Sequence, residues 1–287
     1  MSFRTVMISN TAKLNYKNRY LVVKKDGDEK YIHLSEIDTL IVDSISVSIS
    51  SYLIKEIVDN KINLIFCDEK HNPCSEIISL HGSHNSTKKI MEQINWNKKD
   101  ELWKQIIINK IINQSIVLKN NNKKHSELLV EYVSKVTNGD KTNREGHAAK
   151  VYFNSLYGNS FKRSSNDNIN SALNYGYAIL LSTVSKEVVS LGYITQIGIH
   201  HKNEYNDYNL SCDLMEVFRP IIDDFVYNNI DEDFDKDYKI KMLNIFNEKF
   251  KYRNKFYFLK DLIKLYTNDT LSVITDNKSY RSFIYEK

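Results

Sequence analysis

Glu145, His201, Asp213 and Glu216 are the side chains of this chain whose types and spacing invite a chemical reading. Glu145 opens a stretch in which Ala149, Tyr152, Phe153 and Leu156 recur at helical spacing, so its carboxylate belongs to the first turn of an inward-facing stripe. Such a carboxylate either caps the helix N-terminus, where the dipole favours negative charge, or is aimed into a cleft. Asp213 and Glu216 are three residues apart, hence neighbours on a helix whose buried face is marked by Leu214, Val217, Phe218, Ile221 and Phe225. Adjacent carboxylates repel unless a proton or cation separates them. The pair is therefore either solvated surface charge, the plainer reading on spacing alone, or part of an oxygen-rich site for Mg²⁺ or Mn²⁺. His201 closes the stretch that begins Ile197-Gly198-Ile199 and could project into the same pocket; imidazole is better tolerated by Mn²⁺ than by Mg²⁺.

Other constellations carry less. His200-His201 and the set Cys67, His71, Cys74, His81 and His84 raise zinc, but the set lacks the short paired spacing of structural zinc sites. Cys67 also lies on an apolar run, where a buried free thiol is the commoner outcome. No Gly-x-Ser-x-Gly elbow occurs, nor a Walker or dinucleotide glycine pattern. Residues 164–180 read as an Asp/Asn-rich cap feeding a helix on which Leu173, Tyr177 and Leu180 share a face. Ala172, Gly176 and Ala178 there permit close backbone approach.

The elements that must position these groups divide in two. Residues 4–8, 18–25, 30–34 and 39–42 are short runs rich in β-branched and aromatic residues, separated by turn formers such as Asp26-Gly27-Asp28. A helix over 50–60 and a buried strand over 63–67 follow. The small polar run 82–87 is the best linker, where the pattern changes to a helical period. Helices are predicted over 88–118, 126–136, 144–158, 172–192, 209–228, 238–250 and 256–266, with a weakly periodic, mobile tail from about Asn268. The expected class is α+β: a small β-rich domain over 1–85, then a larger all-helical domain over 86–287.

Charge is unevenly spread along this frame. The net +4 conceals +5 over 86–143, +3 over 144–203, −9 over 204–238 and +6 over 239–287. Basic zones suit a polyanion, and an acidic segment between them suits a hard cation, although Asp231-Glu232-Asp233 reads as solvated surface. The 32 asparagines are put down to an A/T-rich genome, so single Asn residues receive no functional weight. Three cysteines are too few for a disulfide framework and fit a reducing cytosol. The absence of a signal-like segment or a long apolar run argues against secretion and membrane insertion.

The order and spacing of several blocks resemble a known family. Asn168-x-Asn170-x-x-Leu173-Asn174-Tyr175-Gly176-Tyr177 is followed by His201. Then comes Tyr208-Asn209-Leu210-x-x-Asp213-Leu214-Met215-Glu216-x-Phe218-Arg219-Pro220. Together with Ser2-Phe3-Arg4-Thr5-Val6, His33-Leu34-Ser35-Glu36-Ile37 and Ile65-Phe66-Cys67-Asp68-Glu69-Lys70, these blocks are similar to the CRISPR-associated spacer-acquisition integrase, the first universal Cas protein, in its type II form. Val217 departs from the pattern, since relatives often carry Pro there.

The resemblance implies a β-rich dimerisation domain and a helical catalytic domain. It implies Glu145, His201 and Glu216 as ligands of Mg²⁺ or Mn²⁺, with Asp213 as a supporting carboxylate. The activity it implies is metal-dependent DNA integration and cleavage: 3′-hydroxyl ends of a captured spacer precursor are joined to the CRISPR repeat by transesterification. Lys162, Arg163 and Arg219 are the candidate DNA contacts beside the site. The implied partners are double-stranded DNA, a second copy of the chain, a small ferredoxin-like adaptation protein and, in type II systems, the effector nuclease and an accessory ring protein. The implied setting is a prokaryotic cytoplasm. The alternatives are a non-catalytic architectural DNA-binding subunit and a general metallonuclease of DNA repair.

Overall fold

The structure, a computed structural model, describes residues 4–77 and 86–286. The expected linker over 82–87 and the candidate ligands His81 and His84 fall largely or wholly outside them. The chain divides into two compact units, Met1–Gly82 and Ser83–Lys287.

The first unit holds β1 (Arg4–Ile8), β2 (Ala12–Lys17), β3 (Tyr20–Lys25), β4 (Asp28–His33), β5 (Ile37–Val42), β6 (Val47–Ile49), α1 (Ser51–Asp59), β7 (Asn63–Cys67) and β8 (Pro73–Ile77). One sheet runs β1-β5-β7-β8, parallel except at its β7–β8 edge; the other runs β4-β3-β2-β6. Two-residue turns link β2 to β3 and β3 to β4. Asn18, Arg19, Asp26 and Gly27 all take positive φ there, as tight hairpins between right-twisted strands require. Asn18 and Arg19 are thus turn residues rather than the start of a strand. Ser50 caps α1 by accepting from the Leu53 N–H, and Leu53 and Ile57 join Leu14, Leu21, Leu40 and Leu64 in one core. Strands β2, β6 and β8 were not predicted: each is short, and Lys13, Asn15, Lys17, Ser48, Ser75 and Glu76 dilute its apolar signal.

The second unit holds α2 (Ser86–Ile94), α3 (Lys99–Asn120), α4 (Ser126–Val133), α5 (Arg144–Tyr157), α6 (Asn168–Ser190), α7 (Asn209–Met215), α8 (Arg219–Asn228), α9 (Lys236–Asn244), a hairpin of β9 (Lys249–Tyr252) and β10 (Lys255–Phe258), and α10 (Leu259–Thr275). It is helical apart from that hairpin, which replaces the end of one predicted helix and the start of another. Helix α3 is the centre of the unit and buries residues on most of its circumference, including Leu102, Trp103, Ile106, Ile107, Ile111, Val117 and Leu118.

Two predicted helices are broken, and one break has a plain cause. A continuous helix over 209–228 would need residue 220 to donate its N–H to the carbonyl of Glu216, and residue 220 is proline. The helix stops at Met215 and restarts at Arg219 with Pro220 in its first turn, leaving Glu216 at the step. The other break, at 95–98, buries Trp96 and places Lys98 at φ 59°. The tail is not mobile as predicted: α10 runs on to Thr275, and Phe283 and Tyr285 are fully buried.

Candidate active site

Helix α5 begins beneath Asn143, whose side chain accepts from the Gly146 N–H, and Asp140, whose carboxylate accepts from the N–H groups of Arg144 and Glu145. Those two residues do the capping. The Glu145 side chain is released from it, and its Oε1 accepts from the Lys110 ammonium at 2.6 Å. Lys110 comes from the middle of α3 and also lies 2.5 Å from Glu216 Oε2, an ion pair rather than an aligned hydrogen bond. Glu216 Oε1 in turn accepts from Arg219 at 2.9 Å. Two carboxylates, one from the first turn of α5 and one from the step between α7 and α8, thus converge on one cation, with a second cation behind them.

The electrostatics follow from this arrangement. Burial opposes ionisation of Glu216, but Arg219 and Lys110 outweigh it and bring its pKa down to about 2. Burial likewise disfavours the Lys110 ammonium, yet Glu216 and Glu145 hold its pKa above the ordinary lysine value. Glu216 and Lys110 are therefore both charged at neutral pH.

Asp213 does something different from what its spacing suggested. It is fully buried and does not pair with Glu216 across a cation. Its Oδ2 accepts from the N–H groups of Ile199 and His200 at 2.6 and 2.9 Å, and its Oδ1 from the N–H and Nδ1 of His201 at 3.2 and 2.6 Å. The carboxylate therefore pins the loop that carries the imidazole. Its hydrogen bond is the main reason the His201 pKa is raised; burial opposes this, and the charges of Asp213, Glu216 and Glu145 add to it. With Nδ1 turned to Asp213, Nε2 is the nitrogen left for other chemistry.

The loop is braced from below. Gln93 of α2 donates to the carbonyls of Ile194 and Ile197 and accepts from the Ile194 N–H. Asn209 donates to the carbonyls of Gln196 and Asn203. Gly198 is needed at its position: a Cβ there would lie 2.5 Å from the His201 carbonyl and 2.7 Å from Asp213 Oδ2. Trp103 stacks on His200 at 4.3 Å and meets His201 edge-on, so one buried indole braces both rings, with His200 itself exposed.

A cavity of about 500 Å³ adjoins the two carboxylates, lined by Lys110, Glu145, Lys150, Arg163, Arg219 and Asp223 together with Phe153, Phe161 and Tyr177. Of the predicted cations, Arg219 lies 4.2 Å over the Tyr177 ring, while Arg163 bonds Asn170 and Asn174 and faces the same ring at 5.5 Å. Lys162 is exposed and is not part of the lining. His201 and Glu216 do not line the cavity either.

Sequence reasoning missed Lys110, Lys150 and Asp223. Lys110 was legible in principle: it is the one cation between Ile106 and Ile112, a run apolar except for Asn109 and Lys110, where only a buried partner makes a lysine tolerable.

Two carboxylates and an imidazole make a donor set suited to Mg²⁺ or Mn²⁺, and the meeting of Glu145 and Glu216 on one ammonium shows that a cation fits between those two carboxylates. As arranged, the ammonium fills that place, and among the described residues no three His, Cys, Asp or Glu form a group that could hold a metal ion. The same holds for the zinc reading. Cys67 is a buried free thiol.

The family model for CRISPR associated protein Cas1 matches residues 5–249. The CRISPR-associated endonuclease Cas1 of Neisseria meningitidis serogroup C is 32% identical over 226 residues, covering 78% of this chain and 74% of that protein. The chain belongs to the Cas1 family. Among solved structures, the Cas1 protein of Thermotoga maritima superposes with a TM-score of 0.79 at 17% identity, covering 99% of this chain and all of that one. A casposase bound to integration product gives 0.82 at 19% identity, covering all of this chain and 95% of the other. The Cas1 fold, a β-rich N-terminal part followed by helices, is the fold described above. No helix among the described residues is long and apolar enough to cross a membrane.

Proposed function

We propose that this Cas1 protein is a divalent-metal-dependent DNA integrase and endonuclease of CRISPR adaptation, joining 3′-hydroxyl ends of captured DNA to the CRISPR repeat. The observation that carries the reading is the convergence of Glu145 and Glu216 on one cation beside a cavity lined by Lys150, Arg163 and Arg219. That a casposase of similar fold is bound to an integration product is in keeping with strand transfer.

Glu145, Glu216 and His201 Nε2 would hold Mg²⁺ or Mn²⁺, which when bound supplies polarisation of the phosphate and stabilisation of the leaving oxygen. The protein's own groups do the rest. Arg219 keeps Glu216 ionised, and Asp213 fixes the tautomer and direction of the His201 ring. Lys150 and Arg163 hold phosphate oxygens in the cavity without reading sequence. In the step itself, a P–O bond to the incoming 3′-oxygen forms as the P–O bond to the outgoing 3′-oxygen breaks. The attacking hydroxyl loses a proton and the departing oxygen gains one. No covalent link to the protein is required.

The reading extends to partners: double-stranded DNA, a second copy paired through the N-terminal unit, and a small ferredoxin-like adaptation protein. The type II form, with its effector nuclease and ring protein, rests on the sequence blocks alone. The test is strand transfer into a repeat-bearing plasmid with the purified protein, its small partner and Mn²⁺. Joined product is expected from the wild type and only background from Glu145→Ala, His201→Ala and Glu216→Ala. Full activity in all three variants overturns the site, and salt-sensitive DNA binding without joining favours an architectural subunit.

A further inference from the structure

We infer that the Lys110 ammonium and a divalent cation are alternative occupants of the gap between Glu145 and Glu216, so that loading the site requires Lys110 to swing into the adjoining cavity. The inference rests on the metal reading above and goes beyond it.

The distances set the competition. Lys110 Nζ lies 2.6 Å from Glu145 Oε1 and 2.5 Å from Glu216 Oε2. The two oxygens are thus at most about 5 Å apart. An ion bound at about 2.1 Å to each would hold them up to about 4.2 Å apart, so it would occupy the ammonium's own place after a small closure. A monocation and a dication cannot share that volume, because like charges a few ångströms apart repel strongly where water is excluded.

The surroundings permit the exchange. Glu216 keeps Arg219 when the ammonium leaves, so it does not lose all its neutralising charge. Lys110 and Glu145 both line the 500 Å³ cavity, and the four-methylene stem of a lysine can turn its head there without moving α3. The existing contact with Glu216 is an unaligned ion pair, which an ion with open coordination directions would replace with direct ligation. In the cavity the displaced ammonium joins Lys150 and Arg163, where a phosphate would receive it. Metal and phosphate therefore help each other: a phosphate draws Lys110 out of the gap, and the ion keeps it out.

Two measurements test this. Titration calorimetry with Mn²⁺ compares wild type with Lys110→Met, in which the competitor is gone; binding at least about tenfold tighter is expected in the variant. Because Lys110→Met leaves buried Glu216 and half-buried Glu145 with less neutralisation, which threatens folding, the second measurement uses wild type. Lysine acylation followed by peptide mass spectrometry should find Lys110 protected without metal and several-fold more reactive at saturating Mg²⁺, with Lys123 unchanged as reference. Mn²⁺ binding of equal or lower strength in Lys110→Met, or Lys110 labelling unmoved by saturating Mg²⁺, overturns the exchange while the metal reading stands. No Mn²⁺ binding to either protein overturns both.

Discussion

Asp213 and Asp223 are both buried, yet they are hydrogen-bonded by different kinds of donor. Asp213 receives four N–H donors from residues 199–201. Asp223 is answered chiefly by phenols: Tyr177 donates to its Oδ1, and Tyr152 lies alongside. Burial pushes the Asp223 pKa from 3.8 up to about 6, against the pull of the Tyr177 hydroxyl and Arg219. Between those values the folded state holds a proton that the unfolded state has lost. Stability from this group is therefore greatest in acid and falls as pH rises toward 6. Asp223→Asn keeps an acceptor for Tyr177 and removes the charge. Its stability advantage over wild type should grow from near zero at pH 4 to at most about 3 kcal/mol at pH 7, read by denaturant unfolding at several pH values. An advantage that does not vary with pH would mean Asp223 stays ionised throughout.

The same accounting applies to His201 with the opposite ion. Its raised pKa contributes stability that is complete below about 6.5 and lost as pH climbs through the higher folded value. Asp213→Asn removes the carboxylate that raises it, so the His201 ring resonances should titrate at lower pH in the variant. Heteronuclear NMR reads this directly, and an unchanged midpoint would put the cause elsewhere. How legible were these residues? His201 and Glu216 stood out by residue type, but spacing alone favoured solvated surface, and only the family resemblance singled them out as ligands. For Asp213, spacing revealed only that two carboxylates are neighbours and not that one is already spent on the N–H groups of residues 199–201. The asparagines were set aside on compositional grounds, although Asn109, Asn113, Asn170 and Asn209 are buried and bonded on both amide atoms.

At the scale of elements, the imidazole depends on a loop rather than a helix, and the loop depends on α2. Gln93 makes three hydrogen bonds to residues 194 and 197 and is wholly buried. Gln93→Ala would leave buried backbone groups without partners at about 1–3 kcal/mol each, so a loss of roughly 2–4 kcal/mol is expected in denaturant unfolding. Gly198→Ala attacks the same loop from the other side. The added methyl meets backbone at His201, which cannot rotate away as a side chain could. A larger loss of strand transfer than of stability is expected, because the strain falls on the residues that aim the imidazole. None of this bracing could be read from the sequence, since Gln93 lies about a hundred residues from its partners. The broken helix at 216–218 could have been, because Pro220 lacks the N–H that a continuous helix needs for the Glu216 carbonyl four residues before it.

At the scale of the second unit, the segment after α10 is tied to Val217, the residue next to Glu216, through one amide. Asn113 of α3 donates to the carbonyls of Val217 and Phe283 and accepts from the Tyr285 N–H. Asn109 accepts from the Phe283 N–H and from the Tyr280 hydroxyl, and Tyr285 donates to Asp224 on α8. Periodicity fails in an extended segment held by side-chain amides, which is why this segment read as mobile although it buries Phe283 and Tyr285. Phe283 and Tyr285 are nearly or fully enclosed, and each buried aromatic is worth about 1.5–3 kcal/mol. Deleting residues 279–287 should therefore cost several kcal/mol of a total of about 5–15, visible as a fall of many degrees in melting temperature. Phe283→Ala, at about 3–5 kcal/mol, separates packing from the backbone bonds. The segment also shares the Asn113 amide with the residue next to Glu216. Its loss should thus weaken Mn²⁺ binding beyond what the surviving folded fraction explains, measured by calorimetry well below the melting temperature. If Mn²⁺ binds the folded fraction of the truncated protein as it binds the full chain, the amide carries stability alone and Glu216 is positioned by Arg219 and the Pro220 step.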